Sequence, residues 1–440
     1  MRKIMPILLL CLLLTGCGRQ AAPEATTEPT AAPEPAPTEA SGSFNFGFGG
    51  AGVETLTFQE AARSIRADAE AVYLFATNVG KGDALVLRVG DWIGLIDTGK
   101  TWARGRVDNA LALMGSNFRG PNSYRLDGVF LTHTDDDHVG GLKWMTVNDG
   151  HIVNRKIEAL YASAMYTGVK KSKHPAVQAM GGAQWLKRGD EVPLGDTGAV
   201  LRVLAPASLY EDKDDNNSLV LLLESAQGRI LLAGDMELPE EAELLSQGDD
   251  LKCDVLKVAN HGDDDTTSAG FANACAAQIA VISTDGAEKP GTPDPGVVRR
   301  LEAAGSRVVV TEDSGLGVLV TLKGGVATAN YVDFGPTLDF TGLTIAEVDA
   351  SDDRIVLKND GGEPIGLGGC YLYSDKGDEL YAFWDVGIEP GATLTVGTNT
   401  TEGSYDYLWD DKKVINQKKI DAIYLYDSWG KLIDWKDNGK

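Results

Sequence analysis

The run His133-Thr134-Asp135-Asp136-Asp137-His138 constrains this chain more than any other feature. It follows directly on the apolar stretch Val129-Phe130-Leu131, which reads as a strand. A strand that opens into a loop delivers its last residues to a sheet edge, where open α/β folds place their ligand sites. Two imidazoles and two carboxylates at this spacing suit two divalent ions, His133 with Asp135 on one and Asp137 with His138 on the other. Mixed nitrogen and oxygen ligation fits zinc, manganese or iron. Gly140-Gly141 then lets the next helix start close to the ions. The plainer alternative is a solvated acidic loop. Only five His occur in 440 residues, and two of them stand here, which weighs against that alternative.

Three other strand ends carry the same chemistry. Arg229-Ile-Leu-Leu-Ala-Gly-Asp235 ends in a carboxylate able to bridge two ions. Cys253 to Gly262 is a strand ending in His261. Trp92-Ile-Gly-Leu-Ile-Asp97 ends in an Asp suited to orient the ligand loop from behind. A single strand ending in Gly-Asp is a turn more often than a site, but four such ends in this order are hard to obtain by chance. Lys257 lies on the strand before His261. It either meets a substrate anion or snorkels to solvent. His151 and His174 fall outside these segments and read as surface residues.

With these segments in view, the chain resembles the metallo-β-lactamase superfamily, and within it the hydrolase domain of the ComEC competence proteins. The matching stretches are Asn78-Val-Gly-Lys-Gly-Asp83-Ala, Leu95-Ile-Asp97-Thr-Gly99, Leu131 to Gly141, Asn217-Ser218-Leu-Val220, Leu232-Ala-Gly-Asp235 and Leu256 to Gly262, across roughly 70 to 325. The resemblance implies an α/β fold, the αββα metallo-β-lactamase-like sandwich, and hydrolysis by a metal-activated water. It also implies that Asp135 is regular where many members carry a second His, and that Asn217-Ser218 stands where others have a further His ligand. Two departures matter. Asn260 replaces the first His of a His-His-Gly, and Thr292 replaces the His of a Gly-His-Pro, which lowers or alters the expected turnover.

Composition sets the surroundings. Arg2-Lys3, an apolar Ile4–Leu14 and Leu14-Thr15-Gly16-Cys17 read as a lipoprotein signal peptide over 1–17, with Cys17 lipidated. The chain is therefore expected to be exported and lipid-anchored on the outer face of a bacterial membrane, touching lipid only through that anchor. Residues 18–55, rich in Ala, Pro, Thr and Glu, read as a disordered linker. The expected hydrolase domain covers 68–333, with helices at 102–114, 139–147, 238–246 and 294–304. From 338 to 438, short alternating strands with turns such as Glu389-Pro390-Gly391 predict an all-β immunoglobulin-like sandwich. That stretch resembles a lamin-tail domain, for which binding a surface ligand or spacing is the expected role. Cys253, Cys275 and Cys370 are too few and too scattered for a disulfide framework.

The expected activity is metal-dependent hydrolysis, with two divalent ions, zinc or manganese, and a phosphodiester substrate. DNA is the substrate the resemblance suggests, and a cell-wall or lipid-linked phosphodiester is equally open. The formal net charge of −24 opposes duplex DNA unless bound ions reverse the local field. The metal candidates are His133, Asp135, Asp137, His138, Asp235 and His261. The catalytic candidates are Asp137, Asp97 and Lys257, and the substrate-contact candidates are Asn217, Ser218, Asn260 and Thr292. The rival expectations are a catalytically weak surface-binding lipoprotein and, further off, a β-lactam hydrolase.

Overall fold

The computed structural model describes residues 52–115, 124–146, 155–168, 182–211 and 215–440. The signal segment with Cys17, as well as His151 and His174, lies outside these residues.

In Val72–Thr77 every residue is buried, so the strand is covered on both faces. Val72, Leu74 and Ala76 point into one core, and Tyr73 and Phe75 into another. Strands apolar on both faces need a layer on each side, and the first domain supplies it. A nine-stranded mixed sheet has the order 55–56, 326–332, 317–323, 72–77, 85–89, 92–96, 128–131, 160–163, 184–186. A seven-stranded sheet runs 191–193, 200–205, 220–225, 228–232, 255–257, 279–282, 307–310. The inner faces share one core, with Leu74, Leu87, Phe130, Leu221, Ile230 and Val281 among its members. The outer face of the second sheet is covered by the helices Leu238–Ser246, Ala269–Cys275 and Pro295–Ala303. The outer face of the first sheet carries Phe58–Ala67 and Arg104–Leu113 and, in addition, Tyr371, Tyr424 and Tyr426 of the C-terminal region. Two mixed sheets packed face to face between outer layers, the arrangement the resemblance implies, are thus followed by an all-β region.

The first domain starts earlier than residue 68. Thr55–Leu56 pairs in parallel with Tyr331–Val332. Thr57 and Glu60 form a reciprocal capping box at the start of Phe58–Ala67. That satisfies two of the helix's otherwise unpaired N–H groups, and Ala61, Ala62 and Ile65 are buried beneath it. The single helix expected at 139–147 is two short pieces, Asp136–Val139 and Leu142–Thr146. They are separated by Gly140-Gly141, which packs against the turn after Asp97. A Cβ at Gly141 would lie 2.2 Å from the Thr98 carbonyl oxygen.

The C-terminal region holds two four-stranded sheets, 343–349, 354–359, 393–398, 407–409 and 379–382, 371–374, 422–426, 432–437. Its own core includes Ile355, Leu357, Leu372, Val396, Ile423 and Leu425. Cys253, Cys275 and Cys370 are buried and unpaired, consistent with small core residues.

Candidate metal centre

Parallel pairing brings the chemistry together. Trp92–Ile96 runs parallel to Gly128–Leu131, and Gly228–Leu232 runs parallel to Val255–Lys257, so the ends carrying Asp97, His133, Asp235 and His261 emerge on one edge. The backbone bends sharply there. Asp97, Asn260 and His261 have φ values of +56°, +39° and +54°. Such left-handed geometry in non-glycine residues costs about 1–2 kcal/mol each and gathers at functional sites. Asn tolerates it better than most residues. Asn260 thus has a backbone reason to stand where it does: its N–H donates to Gly234 O at 3.1 Å, and its carbonyl accepts from Asp263 N at 3.0 Å.

Each of the three imidazoles is buried and gripped through Nδ1. His138 Nδ1 lies 2.8 Å from Asp97 Oδ2, and His261 Nδ1 lies 2.7 Å from the Ser283 carbonyl oxygen. His133 Nδ1 is 3.1 Å from Thr132 Oγ1, whose own proton goes to Asp97 Oδ2 at 2.7 Å. All three partners must accept, so this network assigns the proton to Nδ1 and leaves Nε2 as a lone pair. The Nε2 atoms converge. His138 and His261 face each other at 3.2 Å, and Asp235 Oδ2 is 3.1 and 3.0 Å from them. His133 Nε2 stands 3.9 Å from Asp235 Oδ2 and has no hydrogen-bond partner, and Asp235 Oδ1 has none either. Lone pairs this close repel unless a proton or a metal ion stands among them, and buried polar atoms are rarely left unpaired. The donor set therefore fits a divalent cation.

The electrostatics follow from this geometry. Burial alone would lower the His138 pKa, but Asp235 and Asp97 override it and hold the imidazole well above its ordinary value, so a proton stands between His138 Nε2 and Asp235 whenever no cation takes that lone pair. Burial and the neighbouring His138 push His133 down. Burial would raise Asp235 and Asp137, yet His138 and His261 keep both well below the usual carboxylate range.

Among the described residues two groups can hold a metal ion, one of Asp83, His138, Asp235 and His261, the other of His133, Asp135 and Asp215. Within each, the ligand atoms lie within 4.8 Å of one another. Asp135, at the start of Asp136–Val139, is exposed. Asp137 sits slightly aside, with Oδ2 3.5 Å from His261 Nε2 and 3.2 Å from Lys81 Nζ. Asp97 touches no other ligand but orients His138. Its Oδ1 also accepts from Thr132 N at 2.8 Å.

Several expected contacts take a different form. Lys257 is fully buried, with Nζ 2.6 Å from Asp83 Oδ2 and donating to Val258 O at 2.9 Å. It does not snorkel to solvent, because its ammonium is held in the interior by Asp83 and the Val258 carbonyl. Asn217 is buried and closes a loop through both Tyr210 N and Tyr210 O, at 2.9 and 2.8 Å. Ser218 Oγ accepts from Asp235 N at 3.1 Å and so fixes the backbone from which that carboxylate projects. Thr292 spends its hydroxyl on Thr284 Oγ1 and Lys289 O, both at 2.8 Å. The hydrogen bonds of these three side chains go to the protein itself.

Sequence reasoning missed Asp83, Asp215 and Lys81 as site residues. Gly82 was the signal for the first and last. A Cβ there would lie 2.6 Å from the Asp137 carbonyl oxygen. The loop must therefore lie directly on the His133–His138 segment, where Asp83 N donates to Asp137 O at 3.1 Å. Burial works against the Lys81 charge, but Asp137 and Asp235 hold its pKa above the ordinary value.

Comparison with known proteins identifies the domain that carries these residues. Residues 78–271 match the metallo-beta-lactamase superfamily. The chain is 28% identical over 200 residues to ComE operon protein 3 of Bacillus subtilis, covering 43% of this chain and 24% of that protein. It is 28% identical over 250 residues to competence protein ComA of Neisseria gonorrhoeae, covering 57% of this chain and 32% of that one. The chain thus spans at most a third of the length of these two relatives. Among solved structures, the metallo-beta-lactamase fold protein YhfI from Bacillus subtilis aligns with 59% of this chain and 100% of its own, at 12% identity and a TM-score of 0.34. The chain carries a metallo-beta-lactamase domain whose sequence relatives, at modest identity, include competence proteins.

Proposed function

We propose that the chain is a metal-dependent hydrolase of phosphodiesters that holds two divalent ions, zinc or manganese. The observation that carries this reading is the set of three buried imidazoles with Nδ1 spent and Nε2 converging on Asp235. His138, His261, Asp235 and Asp83 would hold one ion, with Asp137 at their side. His133, Asp135 and Asp215 would hold the other. Divalent ions, when bound, supply Lewis acidity and make water nucleophilic at neutral pH.

The chain's own residues do the rest. Asp97, Ser283 and Thr132 fix the imidazole orientations, Ser218 fixes the backbone of Asp235, and Lys257 holds the Asp83 carboxylate in place at 2.6 Å. Lys81, part-exposed beside Asp137, supplies a fixed positive charge for an anionic phosphodiester oxygen. This matters in a protein of formal net charge −24, whose long-range field repels such substrates. That field opposes extended polyanions such as duplex DNA unless bound ions reverse it locally, and so leaves small phosphodiesters the easier substrates. The substrate is met outside the cell, where the lipid on Cys17 holds the protein, and the C-terminal region is read as a lamin-tail-like, immunoglobulin-like sandwich. Among the described residues no helix is long and apolar enough to cross a membrane.

The test is hydrolysis of bis-p-nitrophenyl phosphate by chain loaded with zinc or manganese, beside Asp235→Asn. Turnover in wild type that falls to background in the variant is expected. Equal rates in the two overturn the reading, and metal binding without any turnover favours a surface-binding protein instead.

A further inference from the structure

The C-terminal region, for which binding or spacing was the expected role, is packed against the back of the metal loops. Two contacts reach them.

The first runs through Arg106. Its Nε donates to Gly430 O at 3.2 Å and its Nη1 to Asn78 O at 3.0 Å, with the guanidinium over Trp102 and Phe334 at 5.2 and 5.4 Å. Asn78 opens the loop that carries Lys81 and Asp83. The surroundings leave no slack. A Cβ at Gly105 would lie 2.6 Å from Gly430 N, and one at Gly335 would lie 2.1 Å from the Trp429 ring. Tyr371 donates its hydroxyl to Trp102 O at 2.7 Å, and Tyr426 stacks on Trp102 at 5.7 Å.

The second runs through Asp378, in the turn between Tyr371–Ser374 and Glu379–Ala382. Its Oδ2 is 2.9 Å from Thr101 Oγ1 and 3.6 Å from Lys143 Nζ, and its Oδ1 accepts from Tyr373 Oη at 3.2 Å. Thr101 Oγ1 also lies 3.1 Å from Gly140 O, so its one proton is shared between Asp378 and the backbone two residues after His138. The Lys143 ammonium donates to the Asp378 carbonyl as well.

We propose that the C-terminal all-β region is a clamp that positions the metal-ligand loops: its Gly430 carbonyl fixes Arg106 of the first domain, which in turn holds Asn78–Asp83, and its Asp378 holds the exit of the His133–Gly141 segment. Both are positioning residues. Neither reaches the converging Nε2 atoms, and the effect on metal affinity rests on the metal reading above. Independent domains in one chain usually share modest polar interfaces and move relative to one another. Here the interface is aromatic, glycine-close and tied at both metal loops.

The experiment uses the full chain with Arg106→Lys, Asp378→Ala and Asp378→Asn. Amide hydrogen exchange is measured without metal, and zinc affinity by competition with a chelator. Loss of one ordinary hydrogen bond corresponds to about a tenfold change in local opening. Residues 78–83 in Arg106→Lys and 137–142 in Asp378→Ala should exchange about tenfold faster, while 308–310 in the second sheet stay unchanged. Zinc affinity should fall in both. Asp378→Asn, whose amide oxygen still accepts from Thr101, should restore both readouts. Unchanged loops, a uniform rise that includes 308–310, or loops that loosen with no change in zinc affinity would each overturn the clamp. If wild type binds no zinc, the metal reading fails, and the exchange pattern alone then decides the clamp.

Discussion

Asp97→Asn isolates the group that sets the orientation of His138. The wild-type carboxylate is fully buried and accepts from three donors: Thr132 N at 2.8 Å, Thr132 Oγ1 at 2.7 Å and His138 Nδ1 at 2.8 Å. An amide has one accepting oxygen. If its NH2 replaces Oδ1, it faces the Thr132 N–H, a donor that cannot turn away. If it replaces Oδ2, His138 can move its proton to Nε2 and accept at Nδ1 instead. The second arrangement leaves no unpaired main-chain donor and is therefore favoured, but it places a proton on the nitrogen that faces Asp235. The backbone adds no complication, because Asn tolerates the +56° φ at this position. Changing the group that orients a ligating His costs about 10–100-fold in metal affinity, about 1.4–2.7 kcal/mol. Zinc titration against a competing chelator at neutral pH should show that loss, with the variant folded by circular dichroism. Zinc affinity within threefold of wild type in the folded variant would refute the argument, since the proton on Nδ1 would then not be set by Asp97.

Two further outcomes test the surroundings of the site. Lys257→Met leaves Asp83 as an uncompensated buried carboxylate and should destabilise the chain by about 3–5 kcal/mol in denaturant unfolding; a loss below 1 kcal/mol would mean that the pair contributes little. Glu240 is buried with neither carboxylate oxygen paired, and burial, then Glu243, raises its pKa well above the ordinary value. In the folded chain it keeps a proton that the unfolded chain releases above about pH 4.5, so wild-type stability falls as pH rises from there through the folded pKa. Glu240→Gln should remove that slope, raising the melting temperature at pH 8 and leaving it nearly unchanged at pH 4. A melting temperature at pH 8 no higher than wild type would count against it.

The sequence displays what is local. Strands such as Val72–Thr77 and Ile279–Ile282 are legible because their apolar runs end at turn residues, and Leu238–Ser246 because Pro239 and its acidic first turn mark a helix start. His133, Asp235 and His261 are legible because each follows an apolar strand. What was not legible depends on distant contacts. Asp83 meets its lysine 174 residues further along the chain, and a Lys on a strand looks solvent-bound until its partner is known. Trp102 lies in the span expected for the first domain and Tyr371 and Tyr426 in that of the second, and nothing local shows that they join the two regions. The helix Phe58–Ala67 was within reach of sequence, since Thr57 and Glu60 spell a capping box. The Pro- and Thr-rich composition before it masked the signal.

The account stands or falls on metal content. The purified chain is equilibrated with zinc or with manganese, freed of excess ion and analysed for metal per chain at neutral pH, beside His133→Ala and His138→Ala. Two ions per wild-type chain, with one or none in either variant, is the predicted result; fewer than half an ion per wild-type chain, or the same content in all three, would contradict it.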